Sequence, residues 1–148
     1  MFLHIKDVLT PEEITFFRQA LGPQAPWIEG ARSAGGQAIH QKNNLQLAQG
    51  SELSAQLQTM VKAALHRNAL FFSAALPRRI YNPLFNNYGD GANFYGNHVD
   101  SAVMHSKADN CWVRSDLSCT LFLTPPEDYD GGELVITETL GEKRIKLP

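Results

Sequence analysis

The feature that most limits the possible folds of this chain is a change of hydrophobic period near Pro77. Residues 51–67 carry apolar side chains at helical spacing, whereas residues 116–124 alternate between apolar and polar side chains. Two helical segments come first, and the strand-like segments follow in a separate run. Because helices and strands do not alternate along the chain, we predict an α+β fold in which N-terminal helices support an antiparallel β structure.

The first helix has clear boundary signals in the sequence. Thr10 is a suitable N-cap, Pro11 suits the first helical position, and Glu13 completes a capping box with Thr10. Gly22 lies where such a helix would end. In the second helix, 51–67, we expect one buried face: Leu53, Leu57, Val61 and Leu65.

The strongest strand pattern lies in residues 116–124. We predict that it pairs with residues 133–139 in one antiparallel sheet, because a glycine-containing turn separates the two segments. Its alternation gives an apolar face that should be buried, with Cys119 as a core residue, and an opposite face that carries hydroxyl groups. The apolar face comprises Leu117, Cys119, Leu121 and Leu123, and the opposite face comprises Ser118, Thr120 and Phe122.

Composition limits the class of protein. With 148 residues, 43% of them hydrophobic, the chain suits a single domain, and its net charge of −2 gives no reason to expect nucleic acid or an anionic membrane as a partner. No apolar run has the length of a membrane span, and the N-terminus lacks the pattern of a secretion signal. Two cysteines do not make a disulfide framework, so we expect reduced thiols in a cytoplasmic protein.

The chemistry centres on His98 and Asp100, two residues apart. With five histidines and fifteen acidic residues in 148, about 0.5 His-x-Asp/Glu matches are expected by chance, so the motif alone means little. At the end of a strand, however, side chains two apart share a face and can converge on one ion. Two histidines and one carboxylate form the iron site of Fe(II) oxygenases, and a zinc hydrolase can use the same pair.

The surroundings of the pair add possible ligand contacts. Glycines flank it, and Tyr88 precedes His98 by ten residues, so that its hydroxyl can hold a carboxylate. Ser118 and Thr120 either point hydroxyls into the same cavity or face solvent; the sequence favours neither.

Other polar residues are weaker candidates. Residues 42–44, Lys-Asn-Asn, either contact substrate at the mouth of a pocket or are ordinary loop residues. Arg78 and Arg79 either face an anionic substrate or are surface charges at the start of a strand. We expect His105 to be solvated in a polar loop. The other three histidines are expected to be structural or exposed: His4, His40 and His66.

Several longer segments resemble one family. "YGDGANFYGNHVDSA" (88–102), "RSDLSCTLFLTPPEDYDGGELVI" (114–136) and "EKRIKLP" (142–148) are similar to the PKHD-type hydroxylases. These are bacterial relatives of prolyl and lysyl hydroxylases in the Fe(II)/2-oxoglutarate dioxygenase superfamily. Shorter matches at 42–44, 69–77 and 83–86 extend the resemblance through essentially the whole chain.

The resemblance implies a double-stranded β-helix, or jelly roll, in a single domain 1–148, with residues 1–76 as helical support and 77–148 as the first part of the jelly roll. It implies that His98 and Asp100 are iron ligands and that Tyr88 contacts the C5 carboxylate of 2-oxoglutarate. Phe122 would line the co-substrate pocket where some relatives carry tyrosine, together with Ser118 and Thr120.

The implied activity is hydroxylation of a C–H bond coupled to decarboxylation of 2-oxoglutarate to succinate, with Fe(II) as cofactor and L-ascorbate as reductant. The substrate would be a small molecule or a protein side chain, and family members are associated with iron homeostasis. A homo-oligomer is compatible with the resemblance.

One part of the family pattern is absent. The second iron histidine and the arginine that binds 2-oxoglutarate lie on strands after the segment equivalent to "RIKLP", whereas this chain stops at Pro148. Eight strands of a jelly roll do not fit into residues 77–148. We therefore expect this chain to be a fragment that lacks C-terminal strands and is inactive alone. The main alternative is a non-catalytic jelly-roll module that binds a metal or a carboxylate. A zinc hydrolase is disfavoured because no general base is in position.

Overall fold

The computed structural model describes residues 2–33, 41–89, 91, 93–106 and 109–148. Three α-helices form in this part of the chain: α1 (Pro11–Ala20), α2 (Glu52–Arg67) and α3 (Ala69–Ala75). The strands are β1 (Trp27–Glu29), β2 (Lys42–Asn43), β3 (Leu45–Leu47), β4 (Asn86–Asn87), β5 (Phe94–Tyr95), β6 (Val103–Ser106), β7 (Cys111–Arg114), β8 (Leu134–Glu138) and β9 (Gly141–Ile145). Short 3-10 helices span Gly30–Ser33 and Pro126–Asp128.

Helix α1 begins with the predicted capping box. The Thr10 amide donates to Glu13 Oε2 at 2.9 Å, and the Glu13 amide donates to Thr10 Oγ1 at 3.2 Å. Pro11 occupies the first turn, where its missing N–H is not needed. The helix ends at Ala20, next to Leu21 as C-cap and just before Gly22. The sequence prediction for this helix is confirmed because all its signals are local.

Helix α2 supplies much of the core. Leu57, Val61 and Leu65 are buried as predicted, and Leu53 is half-buried against the same cluster. The Asn68 side chain then accepts a hydrogen bond from the Phe71 amide and starts α3. The core cluster joins the helices to β3 and to the segment before β4; its buried members are Val8, Leu9, Phe17, Leu47, Leu57, Val61, Ala64, Leu65, Phe71 and Phe85.

All strand pairs in the described chain are antiparallel. One sheet has the order β1-β3-β4, and the other pairs are β2 with β5, β6 with β7, and β8 with β9. The mixture of helices and antiparallel strands agrees with an α+β fold. The jelly roll stays a prediction, because these strands form one three-stranded and three two-stranded sheets rather than two four-stranded ones.

The prediction for residues 116–124 was wrong. No strand forms there, and β8 pairs with β9 instead, through a two-residue turn at Thr139 and Leu140. Leu121 and Leu123 do pack against the core, but Leu117 is 69% exposed and Cys119 is also exposed. Alternation reports which side chains favour burial, whereas a strand also needs a neighbour for its backbone hydrogen bonds.

The two tryptophans occupy different environments. Trp27 on β1 is half-buried against the core, and its indole N–H donates to the Gly22 carbonyl at 3.0 Å. Trp112 on β7 is 67% exposed. No helix in the described part of the chain is both long and apolar enough to cross a lipid bilayer.

Candidate functional site

The His98–Asp100 pair directly follows β5, whose position is fixed by pairing with β2. Lys42 lies opposite Tyr95 in this ladder. The Gly96 amide then donates to the Gln41 carbonyl at 2.7 Å, which extends the pairing by one hydrogen bond. The backbone is thus held two residues before His98, although residues 98–100 themselves form no strand.

The ring of His98 is held on one edge and one face. Its Nδ1 lies 2.7 Å from the Gly96 carbonyl oxygen, and the ring stacks on Tyr95 with centroids 3.7 Å apart. A carbonyl accepts only, so Nδ1 must carry the hydrogen, and the neutral ring then presents a lone pair at Nε2. This is the arrangement in which a neighbouring backbone group fixes the tautomer of a metal-binding histidine.

Asp100 faces the free nitrogen of His98. Its Oδ1 lies 3.5 Å from His98 Nε2, and its Oδ2 accepts a hydrogen bond from Ser118 Oγ at 2.8 Å. A lone pair and a carboxylate oxygen repel each other at this distance unless a proton or a metal cation lies between them. The contact therefore suits either a shared proton or a metal cation between the two atoms, while Ser118 binds the second oxygen of Asp100.

Tyr95 and Lys42 extend the cluster beyond the predicted residues. Burial raises the pKa of the Tyr95 phenol, and the negative charge of Asp100 raises it further. Lys42 is buried, which lowers the pKa of its ammonium group, and Nζ lies 5.0 Å from the centre of the Tyr95 ring. Lys42, from the segment whose role we had left open, thus lies beside Tyr95, the ring that stacks on His98.

Tyr88 belongs to the same neighbourhood. Burial of its hydroxyl end raises the pKa of the phenol, Tyr95 raises it further, and a hydrogen bond from the Asn44 side chain lowers it in part. The residue as a whole is nevertheless 45% exposed. Tyr88 therefore has a shielded hydroxyl and an open side, as a residue at the rim of a pocket does.

Thr120 and Phe122 are not joined to this cluster in the described part of the chain. Thr120 is exposed and Phe122 is half-buried, and neither makes a side-chain hydrogen bond or a ring contact with His98 or Asp100. Of the predicted site residues, the structure thus brings together His98, Asp100 and Ser118, with Tyr88 nearby. Sequence reasoning left the role of Lys42 open and assigned none to Tyr95, whose only signal was its spacing three residues before His98.

The cluster offers two ligands for a metal. In the described ranges, no group of three or more His, Cys, Asp or Glu residues could hold an ion. Two ligand atoms at about 2.1 Å from one ion are about 3.0 Å apart at a right angle and about 3.4 Å apart at a tetrahedral angle. The 3.5 Å between His98 Nε2 and Asp100 Oδ1 fits either geometry after a small closure.

The remaining candidates lie elsewhere. His105 is on β6 rather than in a loop, with its ring edge-on to Trp112 at 4.9 Å, because it alternates outward in the β6–β7 ladder. The prediction that it is exposed is confirmed. Arg78 and Arg79 line a separate cleft with Lys62. His4 is half-buried and His66 is exposed, and neither adds to a metal-binding group, whereas His40 lies outside the described residues.

Comparisons with known proteins give the family. No family model matches the sequence. All 148 residues align with a PKHD-type hydroxylase of Variovorax paradoxus (strain S110) at 53% identity, covering 64% of its length. They also align with PKHD-type hydroxylase YbiX of Shigella dysenteriae serotype 1 (strain Sd197) at 50% identity over 64% of its length. A third relative, a PKHD-type hydroxylase of Aliarcobacter butzleri (strain RM4018), is 48% identical over 65% of its length.

The chain thus spans 64–65% of the length of these relatives. The alignments include every residue of the His98–Asp100 cluster, since they extend over the whole chain. Identities near one half along all 148 residues show common ancestry, and the chain belongs to the PKHD-type hydroxylase family.

Proposed function

We propose that His98 and Asp100 are two of the protein ligands to Fe(II) in a 2-oxoglutarate-dependent hydroxylase. The observation that carries the proposal is the 3.5 Å distance between His98 Nε2 and Asp100 Oδ1. A further hydrogen bond holds each of the two side chains. The Gly96 carbonyl fixes the imidazole and the Ser118 hydroxyl fixes the carboxylate. An imidazole nitrogen with a carboxylate oxygen is the donor set of non-haem iron oxygenases.

The chain's own residues would bind and orient the metal and 2-oxoglutarate. When bound, Fe(II), 2-oxoglutarate and O₂ supply the oxidation that hydroxylates a C–H bond and releases succinate and CO₂. Tyr95 would cover one face of the His98 ring and exclude water from it. The protonated phenol of Tyr88 would donate a hydrogen bond to the C5 carboxylate of 2-oxoglutarate. By family resemblance alone, Thr120 and Phe122 would line the co-substrate side of the pocket.

Other parts of the proposal rest on family resemblance alone. They are L-ascorbate as reductant, a small molecule or a protein side chain as substrate, and a place in iron homeostasis. They also include the cytoplasm as location and self-association into a homo-oligomer.

The metal ligands are tested by binding and by turnover. We expect the 148-residue chain to bind Mn(II), a surrogate for Fe(II), weakly, because two protein ligands hold an ion less firmly than three. Acidification should weaken binding further, because protons compete with the metal for the ligand atoms. A chain extended to the full length of the relatives, reconstituted anaerobically with Fe(II), should release succinate from 2-oxoglutarate on addition of O₂.

The variants His98→Ala and Asp100→Ala should abolish succinate release while leaving the circular dichroism spectrum unchanged. His105→Ala is the matched control, since it removes an exposed histidine outside the cluster and should keep full turnover. Succinate release that survives loss of His98 or Asp100 would remove the pair from the active site.

Tyr88 has its own test. Tyr88→Phe should raise the KM for 2-oxoglutarate at least about tenfold, since a hydrogen bond to a charged group is lost. Tyr129→Phe is the control, because Tyr129 lies under Lys146 and away from the cluster. An unchanged KM in Tyr88→Phe would place the co-substrate elsewhere.

The alternative is a module that binds a metal or a carboxylate without catalysis. It is favoured by the finding that the described residues provide two ligands and no third. The two functions separate in the same assay: a chain of the relatives' full length that binds Fe(II) tightly but releases no succinate is a binding module.

A further inference from the structure

A polar cleft lies apart from the His98–Asp100 cluster and shares no residue with it. It is an open cleft of about 470 Å³ between the last turns of α2, residues 77–80 and the strand β7. This volume lies within the usual range for small-molecule sites, about 300–1,000 Å³. Four basic side chains line it, Lys62, His66, Arg78 and Arg79, together with one carboxylate, that of Asp109.

Within the described part of the chain, the lysine and the two arginines of the cleft form no ion pair with a carboxylate. Lys62 Nζ bonds to the amide oxygen of Asn82, and Arg79 Nη1 donates to the Trp112 carbonyl at 3.1 Å; both acceptors are neutral. Arg78 makes no hydrogen bond or ion pair within the described residues.

Asp109, the one acidic group among the described residues that line the cleft, accepts a hydrogen bond from Ser106 Oγ at 2.7 Å. Among the described lining residues, two arginines, one lysine and one aspartate give a formal net charge of +2, although the chain as a whole carries −2. This local excess favours an anion, and most of all a dianion.

Part of the lining of the cleft is apolar. Pro77, Ile80 and the buried Val113 line the same cleft. An inorganic anion would leave this surface in contact with water, whereas an apolar group attached to the anion would cover it. Arginine also binds a phosphate more specifically than lysine does, because the planar guanidinium group can donate two parallel hydrogen bonds to it.

We propose that the cleft between α2, residues 77–80 and β7 binds a small phosphate monoester with an apolar body. Arg78 and Lys62 hold the phosphate, Arg79 stays on the Trp112 carbonyl and adds charge, and the apolar body lies against Ile80 and Val113. The site is independent of the proposed oxidation, since none of these residues contacts the His98–Asp100 cluster.

The test is calorimetric titration of the 148-residue chain at pH 7.5 and low salt with phenyl phosphate, inorganic phosphate and benzoate. We expect saturable binding of phenyl phosphate, weaker binding of inorganic phosphate, and weakest binding of benzoate. Arg78→Gln should weaken phenyl phosphate binding about tenfold or more, since a charge-assisted hydrogen bond is lost.

Two controls define where the ligand binds. Arg144→Gln removes the same charge from the exposed strand β9 and should change the dissociation constant less than about twofold, in line with a weak surface effect. His98→Ala should leave phenyl phosphate binding unchanged, so that the two sites are tested separately.

The proposal is overturned if phenyl phosphate shows no saturable binding at millimolar concentration. Equal weakening by Arg78→Gln and Arg144→Gln would mean attraction by overall charge only. Benzoate binding as tightly as phenyl phosphate would exclude a phosphate-specific site.

Discussion

At the scale of a single residue, Gly30 packs tightly against Asn44, which follows strand β2. Its amide donates to the Asn44 carbonyl at 2.8 Å, and a Cβ at this position would lie 1.8 Å from Asn44 Oδ1. Asn44 is buried and its Nδ2 donates to Asn86 Oδ1 at 3.0 Å. The asparagine next to β2 can therefore keep its place only because residue 30 has no side chain.

Gly30→Ala should destabilise the protein by about 1–3 kcal/mol, as overpacking of a filled interior does. Gly50→Ala is the control, because a Cβ there meets nothing within 4 Å. Urea denaturation of both variants checks this: an equal midpoint in Gly30→Ala and Gly50→Ala would mean that Asn44 moves aside at no cost.

At the scale of elements, one ion pair ties the start of α1 to the end of α2. Arg67 donates through Nη1 to Glu13 Oε1 at 2.8 Å, and the same guanidinium reaches Glu13 Oε2. Hydrogen bonding by Arg67, followed by the Thr10 amide, lowers the pKa of Glu13. A carboxylate whose pKa is lower in the folded state stabilises that state above its unfolded pKa, about 4.3, and the contribution is lost as pH falls through the folded pKa.

The melting temperature of Glu13→Gln should therefore lie below that of the parent protein at pH 7, and the two should converge as pH falls toward 3. Glu127→Gln, at an exposed carboxylate, should differ little from the parent at either pH. Thermal unfolding followed by circular dichroism measures both. A Glu13→Gln difference that is as large at pH 3 as at pH 7 would show that the carboxylate charge is not its cause.

Elements also differ in how far sequence predicts them. Helices α1 and α2 were predicted because caps and apolar spacing act within about four residues of each other. The pairing of β2 with β5 was not predicted, since Lys42 and Tyr95 pair across more than fifty residues and no local pattern specifies a partner. For the same reason His98, Asp100 and Ser118 could be found as residue types in a pattern, but the Tyr95 stack and Lys42 required the fold.

At the scale of the whole molecule, stability is concentrated around α2. Leu57 is completely buried, so Leu57→Ala should cost about 2–5 kcal/mol through lost contacts and the cavity left behind. Leu140→Ala is the matched control, because Leu140 is fully exposed at the turn after β8 and should change stability by less than about 0.5 kcal/mol. Chemical denaturation gives both values, and similar costs for the two leucines would contradict this location of the core.

The β8–β9 hairpin should be the first part to open. Ile145 is the one buried residue in its two strands. Just after β9, the Lys146 ammonium group lies 4.0 Å from the centre of the Tyr129 ring and links the hairpin to that residue. A two-stranded hairpin is marginally stable alone. Hydrogen exchange followed by mass spectrometry should show faster exchange in 134–145 than in α2, and equal protection would mean that the hairpin unfolds only with the core.

The contrasting surroundings of the two tryptophans give the protein a built-in pair of optical probes. The sequence contains two tryptophans, one against the core and one on the outer face of the β6–β7 hairpin. Emission from Trp27 should shift to longer wavelength when the core unfolds, while that from Trp112 already resembles emission in water. A Trp27→Phe variant would then follow the hairpin without any attached dye.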